Sequence, residues 1–444
     1  MDGLLLTKIA IQFVQHWISP YWKPVAAVAA PVIIYCIYQI HFHPLSRFPG
    51  PPTSRFCNFR ALYYGLKGDL HLDVLRCHQK YEVQENTASQ PSWGPVLDMS
   101  EWCAYLSFDL MTEFVFGRQS NLLGKSKSQA MLPVVEKSLD WVAVLYYLPL
   151  PCPELLTSFL FKIVNRRHGI FTRYIKSNLD KRHGLSDEDL SGDVFSHLVS
   201  SQDKESGEKL DIGEIQSECQ LLSVAGFDTV SSALCATVFY LSHYPHAYSL
   251  LAAEIRATFQ SYADIRPGKR LQECKYLNAC IDESLRISPP ICALVPREVE
   301  QGGETIDGDF IPEGYCVGTS IYAIQRSPEY FPQPHVYLPE RWLTANESHT
   351  KAAFAPFSMG PRACIASSMA IIELQTTIAA FIWTFDFKLA GGPDGMVGRG
   401  SSQSRLGRTD PSEFQLYDRM TTRVRGPKIQ LRPSDNARND RSGC

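Results

Sequence analysis

No excess of either charge marks this chain: its 444 residues carry a net charge of −3, with charged residues at 20%. There is no basic stripe with interleaved aromatics, so nucleic-acid binding has no electrostatic support. Paired cysteine spacings are missing as well. The thirteen cysteines are odd in number, with no CxxC pair and no Cys/His set at zinc spacing. That excludes a disulfide framework and a zinc module, and leaves mostly reduced, buried thiols of a reducing compartment. Internal repeats are absent, and so are flavin and nicotinamide motifs. What remains is a globular composition, 45% hydrophobic, enough for a sizeable core.

The N-terminus differs from the rest. Pro24 to Ile40 is free of charge, and a second apolar stretch, Leu4 to Ile18, precedes it. The run is as long as the shortest membrane spans, with Pro31 inside it. A cleaved signal would show a basic start, which is missing here, and a buried core helix is the plainer alternative. The expectation is an uncleaved single-pass anchor over residues 1–43. Arg47, Arg55, Arg60 and Lys67 follow the apolar run, which places the body on the cytoplasmic side. Residues 44–60 begin with a proline-rich elbow (HPLSRFPGPP from His43), too stiff to continue a helix.

Most of the body reads as helix. Apolar residues recur at helical spacing over 101–116 and 131–148. Asp211 and Glu214 form a capping box, and the following pattern runs without proline to Tyr244. Such a helix spans about 48 Å, enough to cross a domain. Further helices are expected over Ala247 to Gln260 and Tyr276 to Ser288, the latter stopped by Pro289-Pro290. Alternation and glycine turns over 294–320 suit short strands. Residues 391–411 read as a loose loop, and the polar residues 433–444 as a disordered tail.

The strongest chemical signal is Phe357-Ser-Met-Gly-Pro-Arg-Ala-Cys-Ile-Ala366, followed by an apolar helix pattern to about Phe385. Gly360 and Pro361 impose a turn that sets Cys364 at the start of that helix. Unpaired N–H groups there favour thiolate over thiol. A soft thiolate suits heme iron, and Arg362 could pair with a propionate. A lone cysteine would ordinarily be a small buried hydrophobe; the surrounding pattern argues otherwise.

This loop resembles the heme-binding loop of the cytochrome P450 family, Phe-x-x-Gly-x-Arg-x-Cys-x-Gly or Ala, and further family motifs occur in the family's order. Ala225-Gly-Phe-Asp-Thr229 lies in the long helix; by resemblance Asp228 and Thr229 are the acid–alcohol pair that relays protons, and heme and oxygen pack against Gly226. Val230 departs from the Thr or Ser often found there. The plainer reading is a threonine bonded back to its own helix. Glu283-Ser-Leu-Arg286 and Pro339-Glu-Arg341-Trp342 resemble the family's buried triad, which assigns Glu283, Arg286 and Arg341 a structural role. Arg297, after Pro296, matches a propionate-binding arginine, the alternative being a solvated charge.

The resemblance implies a mainly α fold with a small β portion, heme b, and Cys364 as the axial iron ligand, with Phe357, Gly360, Arg362 and Arg297 around the cofactor. It further implies a monooxygenase of apolar small molecules, fed by NADPH through a flavoprotein reductase, in the endoplasmic reticulum membrane. The stretch around Cys274 to Glu283 leans toward filamentous-fungal members that tailor terpenoids and polyketides. The catalytic domain is expected over 61–432, shortened between 81 and 96. There the polar Glu82 to Pro95 replaces the family's first strands, a pocket loop and a propionate-binding helix. An inactive heme-binding relic and a heme-thiolate isomerase or dehydratase are the readings from other classes.

Overall fold

The computed structural model describes Tyr38 and residues 93–442, except 119, 125–128, 130, 147–168, 170, 181–191, 204–205, 293, 345–346, 405–407 and 420. The anchor, the elbow and the Glu82-to-Ser92 part of the shortened link lie outside the described residues. Regular structure opens with strand β1 (Val96–Asp98). Asp98 then caps helix α1 (Met99–Phe116), its side chain accepting from Ser100 N at 3.0 Å. Helix α2 covers Leu132–Tyr146.

The long helix α3 runs over Ile212–His243. Its start is a full capping box. Asp211 Oδ1 accepts from Gly213 N and Glu214 N, while Glu214 Oε2 accepts from Asp211 N at 2.8 Å. From Val230 to Leu241 every residue is buried, so this half of the helix is enclosed on all sides, and its Ser231, Ser232 and Thr237 hydroxyls bond back to the helix's own carbonyls. Pro245 does not merely stop α3. It is the first residue of helix α4 (Pro245–Thr258), where its missing N–H costs nothing.

Helix α5 (Lys275–Ile287) ends where Pro289 forbids another turn. Short antiparallel ribbons follow: β2 (Arg297–Glu298) pairs with β5 (Cys316–Val317), and β3 (Glu304–Ile306) with β4 (Asp309–Ile311). Helix α6 (Ser367–Thr384) leads directly into β6 (Phe385–Leu389). Strands β7 (Tyr417–Arg419) and β8 (Thr421–Arg423) form a tight hairpin. The last strand, β9 (Lys428–Pro433), lies between β1 and β6 in a three-stranded antiparallel sheet, Val96 opposite Gln430 and Phe387 opposite Leu431. The two ends of the described body are thus joined by one sheet.

Two apolar clusters hold these elements. One gathers the second half of α3 with α4, α5 and α6. The other packs α1 on the first half of α3, with Phe108 edge-on to Phe227 at 5.3 Å.

Two expectations need correction. The tail is not disordered throughout: Asp435–Ser442 forms helix α7. Ser434 anchors it, donating through Oγ to Trp383 O at 2.5 Å and accepting from Ala437 N, and Ala437 is buried. A polar composition hid a cap and one buried contact. Nor is 391–411 loose where described. Ser401 N donates to Arg408 O, Gln415 N to Gly398 O, and Lys428 pairs with Asp394 at 2.8 Å. Local turns bonded to a neighbouring strand carry little periodicity to read.

Candidate active site around Cys364

The cysteine loop doubles back on itself. Ser358 and Gly360 both take left-handed backbone, with φ of 61° and 78°; glycine does so at no steric cost. A single 3-10 turn, Gly360–Arg362, follows, and Cys364 N then donates to Phe357 O at 2.8 Å. Phe357 is half-buried against the main core and pins one side of the loop. Residues 359–366 are exposed, and Cys364 is a free, exposed thiol. It stands three residues before Ser367, where α6 begins, rather than at the helix start that the spacing suggested. Its carbonyl accepts from Ser367 N, so the loop feeds the helix through the backbone, and the macrodipole acts on the sulfur only from one turn away.

Arg362 is exposed and, among the described residues, has no carboxylate partner. Arg297, on β2, is also exposed, its Nη1 donating to Pro296 O at 2.9 Å. One soft sulfur and two guanidiniums that, among the described residues, meet no acid are a donor set that suits an iron porphyrin with two propionates. The residues present therefore fit that group.

In the middle of α3, Thr229 Oγ1 donates to Ala225 O at 2.8 Å, the plainer of its two readings. Its oxygen lone pairs stay open. Asp228 faces elsewhere: its Oδ2 accepts from Thr421 Oγ1 on the β7–β8 hairpin. Burial pushes this carboxyl above its ordinary value, while the Thr421 hydrogen bond and Arg423 pull it back.

A Cβ at Gly226 would lie 2.3 Å from Met111 Sδ, so the missing side chain makes room for α1. Ala225 and Thr229, one turn apart, share a different face of α3, on which Leu221 is also exposed. Sequence spacing identified the glycine as a close approach but could not say what approaches.

Glu283, Arg286 and Arg341 meet in one buried network. Arg286 forks onto Glu283 at 2.8 and 2.9 Å, and Arg341 Nε lies 3.1 Å from Glu283 Oε1. Glu283 and Arg286 are fully buried. Trp342 Nε1 and Leu338 N complete the carboxylate's shell, both at 2.9 Å. The second positive charge is met by carbonyls, Arg286 on Gln325 O and Pro334 O, Arg341 on Pro332 O. Removing one charge from such a set costs about 3–5 kcal/mol, because its partners stay buried. These groups join α5 to the 3-10 turn at Pro339–Leu343.

Residues 73–397 match the family model for Cytochrome P450. The chain belongs to the cytochrome P450 family. A cytochrome P450 monooxygenase of Gibberella zeae is 38% identical, over 82% of this chain and 83% of that protein. The cytochrome P450 monooxygenase poxM of Penicillium oxalicum is 31% identical, over 89% and 91%. Among solved structures, the cytochrome P450DA heme domain superposes with a TM-score of 0.61 at 18% identity, covering 78% of this chain and 70% of that one. That likeness carries the fold: mainly helical with small sheets. This P450 is thus an oxidoreductase of the monooxygenase type, whose family cofactor is heme with a thiolate-ligated iron. The poxM alignment runs over 485 positions, more than the 444 residues here, so that relative carries stretches with no counterpart in this chain.

Proposed function

We propose that this P450 inserts one oxygen atom of O2 into an apolar small molecule of secondary metabolism, a terpenoid or polyketide. Cys364 is the protein ligand to the iron, and Arg362 and Arg297 pair with the two propionates, with Phe357 and Gly360 shaping the loop. The observation that carries this reading is the free, exposed Cys364 thiol in a doubled loop directly ahead of α6. When bound, the heme supplies the activation of O2, whose second oxygen leaves as water.

The chain's own part is to bind, orient and move protons. The Asp228 carboxyl holds a proton more readily than a solvated aspartate because of its desolvation. Thr229 Oγ1, one residue on, passes protons onward from the open face shared with Ala225. Electrons come from NADPH by way of a membrane flavoprotein reductase. The N-terminal anchor holds the chain in the endoplasmic reticulum membrane, with the catalytic domain on the cytoplasmic side.

The test is the absorption spectrum of the recombinant chain, reduced with dithionite and exposed to carbon monoxide. A strongly red-shifted Soret band of thiolate type, lost in Cys364→Ala, is expected. One observation favours a second reading, an inactive heme-binding relic: relatives carry stretches that this chain lacks. A band of imidazole or denatured type in the wild-type chain decides for the relic. Thr229→Ala is expected to cut turnover; unchanged turnover points to an isomerase or dehydratase.

A further inference from the structure

The β7–β8 hairpin stands between the long helix and α2, and no role described so far uses it. Its inner face is fixed: Thr422 is buried, with N donating to Pro290 O at 2.7 Å and Oγ1 to Pro289 O at 3.1 Å. Its other face presents Thr421 and Arg423, two residues apart and so on one side of the strand. Thr421 Oγ1 donates to Asp228 Oδ2. Arg423 Nη1 lies 3.6 Å from both Glu136 Oε2 and Asp140 Oδ2 on α2. Glu136 and Asp140 are one turn apart on that helix, and Arg419 Nε, at the hairpin's first strand, lies 3.4 Å from Asp140 Oδ1.

We propose that Thr421 and Arg423 are positioning residues for the acid of the relay. Thr421 orients the Asp228 carboxyl, and Arg423, held in place by Glu136 and Asp140, supplies the positive charge that governs whether Asp228 keeps or releases its proton. This rests on the relay reading of Asp228 and Thr229 and extends it to an element far along the chain.

The charges around Asp228 come from three elements. From the hairpin, Arg423 favours the carboxylate, with Thr421 bonded to it directly. From α2, Asp140 opposes ionisation, and Asp228 in turn raises the proton affinity of Glu136. Glu136 is itself pushed up, first by burial, and Glu101 of α1 adds to this. Arg419 partly offsets Asp140. Arg423 is therefore shared among three partly buried acids. Its removal leaves three carboxyls without their common counter-charge.

The experiment is an infrared titration of the full, heme-loaded chain with 13C-labelled aspartate. The Asp228 carboxyl band is isolated by subtracting the Asp228→Asn spectrum. Thr421→Val and Arg423→Gln are each expected to move its midpoint upward, by about one pH unit. Thr421→Ser, which keeps the hydroxyl, is expected to titrate as wild type. The two shifting variants remove independent partners, so either alone carries the test if the other does not fold. An unmoved or lowered midpoint overturns the positioning role. Turnover of Asp228→Asn is measured beside it. If that turnover is unimpaired, the relay reading falls whatever the titration shows; if it is impaired while the midpoints stay put, only the positioning role falls.

Discussion

Glu373 shows what a single side chain can hide. It lies on α6, nine residues after Cys364, and its Oε1 is buried with no hydrogen-bond partner among the described residues, as is Ser107 Oγ on α1. Burial pushes the carboxyl from an ordinary 4.5 up to about 7. The folded chain then holds a proton that the unfolded chain has lost. Stability is therefore unaffected below about pH 4.5, declines as pH rises toward 7, and is constantly lower above it. The full loss is about 3 kcal/mol. Glu373→Gln removes it, so the variant should exceed wild type in chemical denaturation at pH 8 and converge with it at about pH 4. Parallel stability curves at both pH values would remove burial as the cause. In the sequence this glutamate interrupts an apolar helix and reads as a solvated position. Only the approach of α1 buries it. The Glu283–Arg286 pair, by contrast, was legible because its two side chains lie three residues apart on one helix face.

At the scale of elements, α3 was readable from cap to stop, since a capping box and a proline act through local backbone bonds. What packs on α3 was not. Gly226 admits Met111, and Met111 is buried, so its thioether cannot swing out into water. Gly226→Val should cost about 1–3 kcal/mol by overpacking. Met111→Ala in the same chain should recover part of that cost, because the cavity it opens accepts the new methyls. A double-mutant cycle of denaturation free energies checks this: strictly additive losses would mean the two side chains do not share the space. The Glu283 network divides the same way. The i,i+3 pair and the distant arginine were readable, whereas Trp342 Nε1 and the carbonyls of Pro332, Pro334 and Gln325 joined it only through the turn that brings 332–342 onto α5.

For the whole molecule, membrane attachment is the proposal to test. Among the described residues one helix, Ile212–His243, has the length and hydropathy of a span. It is the central core helix, with 61% of its most apolar window buried. The proposed attachment is assigned to residues 1–43 from their sequence. Alkaline carbonate should leave the full chain in the membrane pellet and release a chain lacking those residues; release of the intact full-length chain would end the spanning reading. The amino-acid order alone determined the family, the helical class, the cysteine loop and the arginine–glutamate pair, all set by contacts within a few residues or by motif order. Tertiary structure alone decided that Met111 occupies the space at Gly226, that Asp228 turns toward Thr421 some 190 positions away, and that Glu373 is buried. Burial and long-range partners depend on which surfaces the chain brings together, and no local pattern of side chains carries that information.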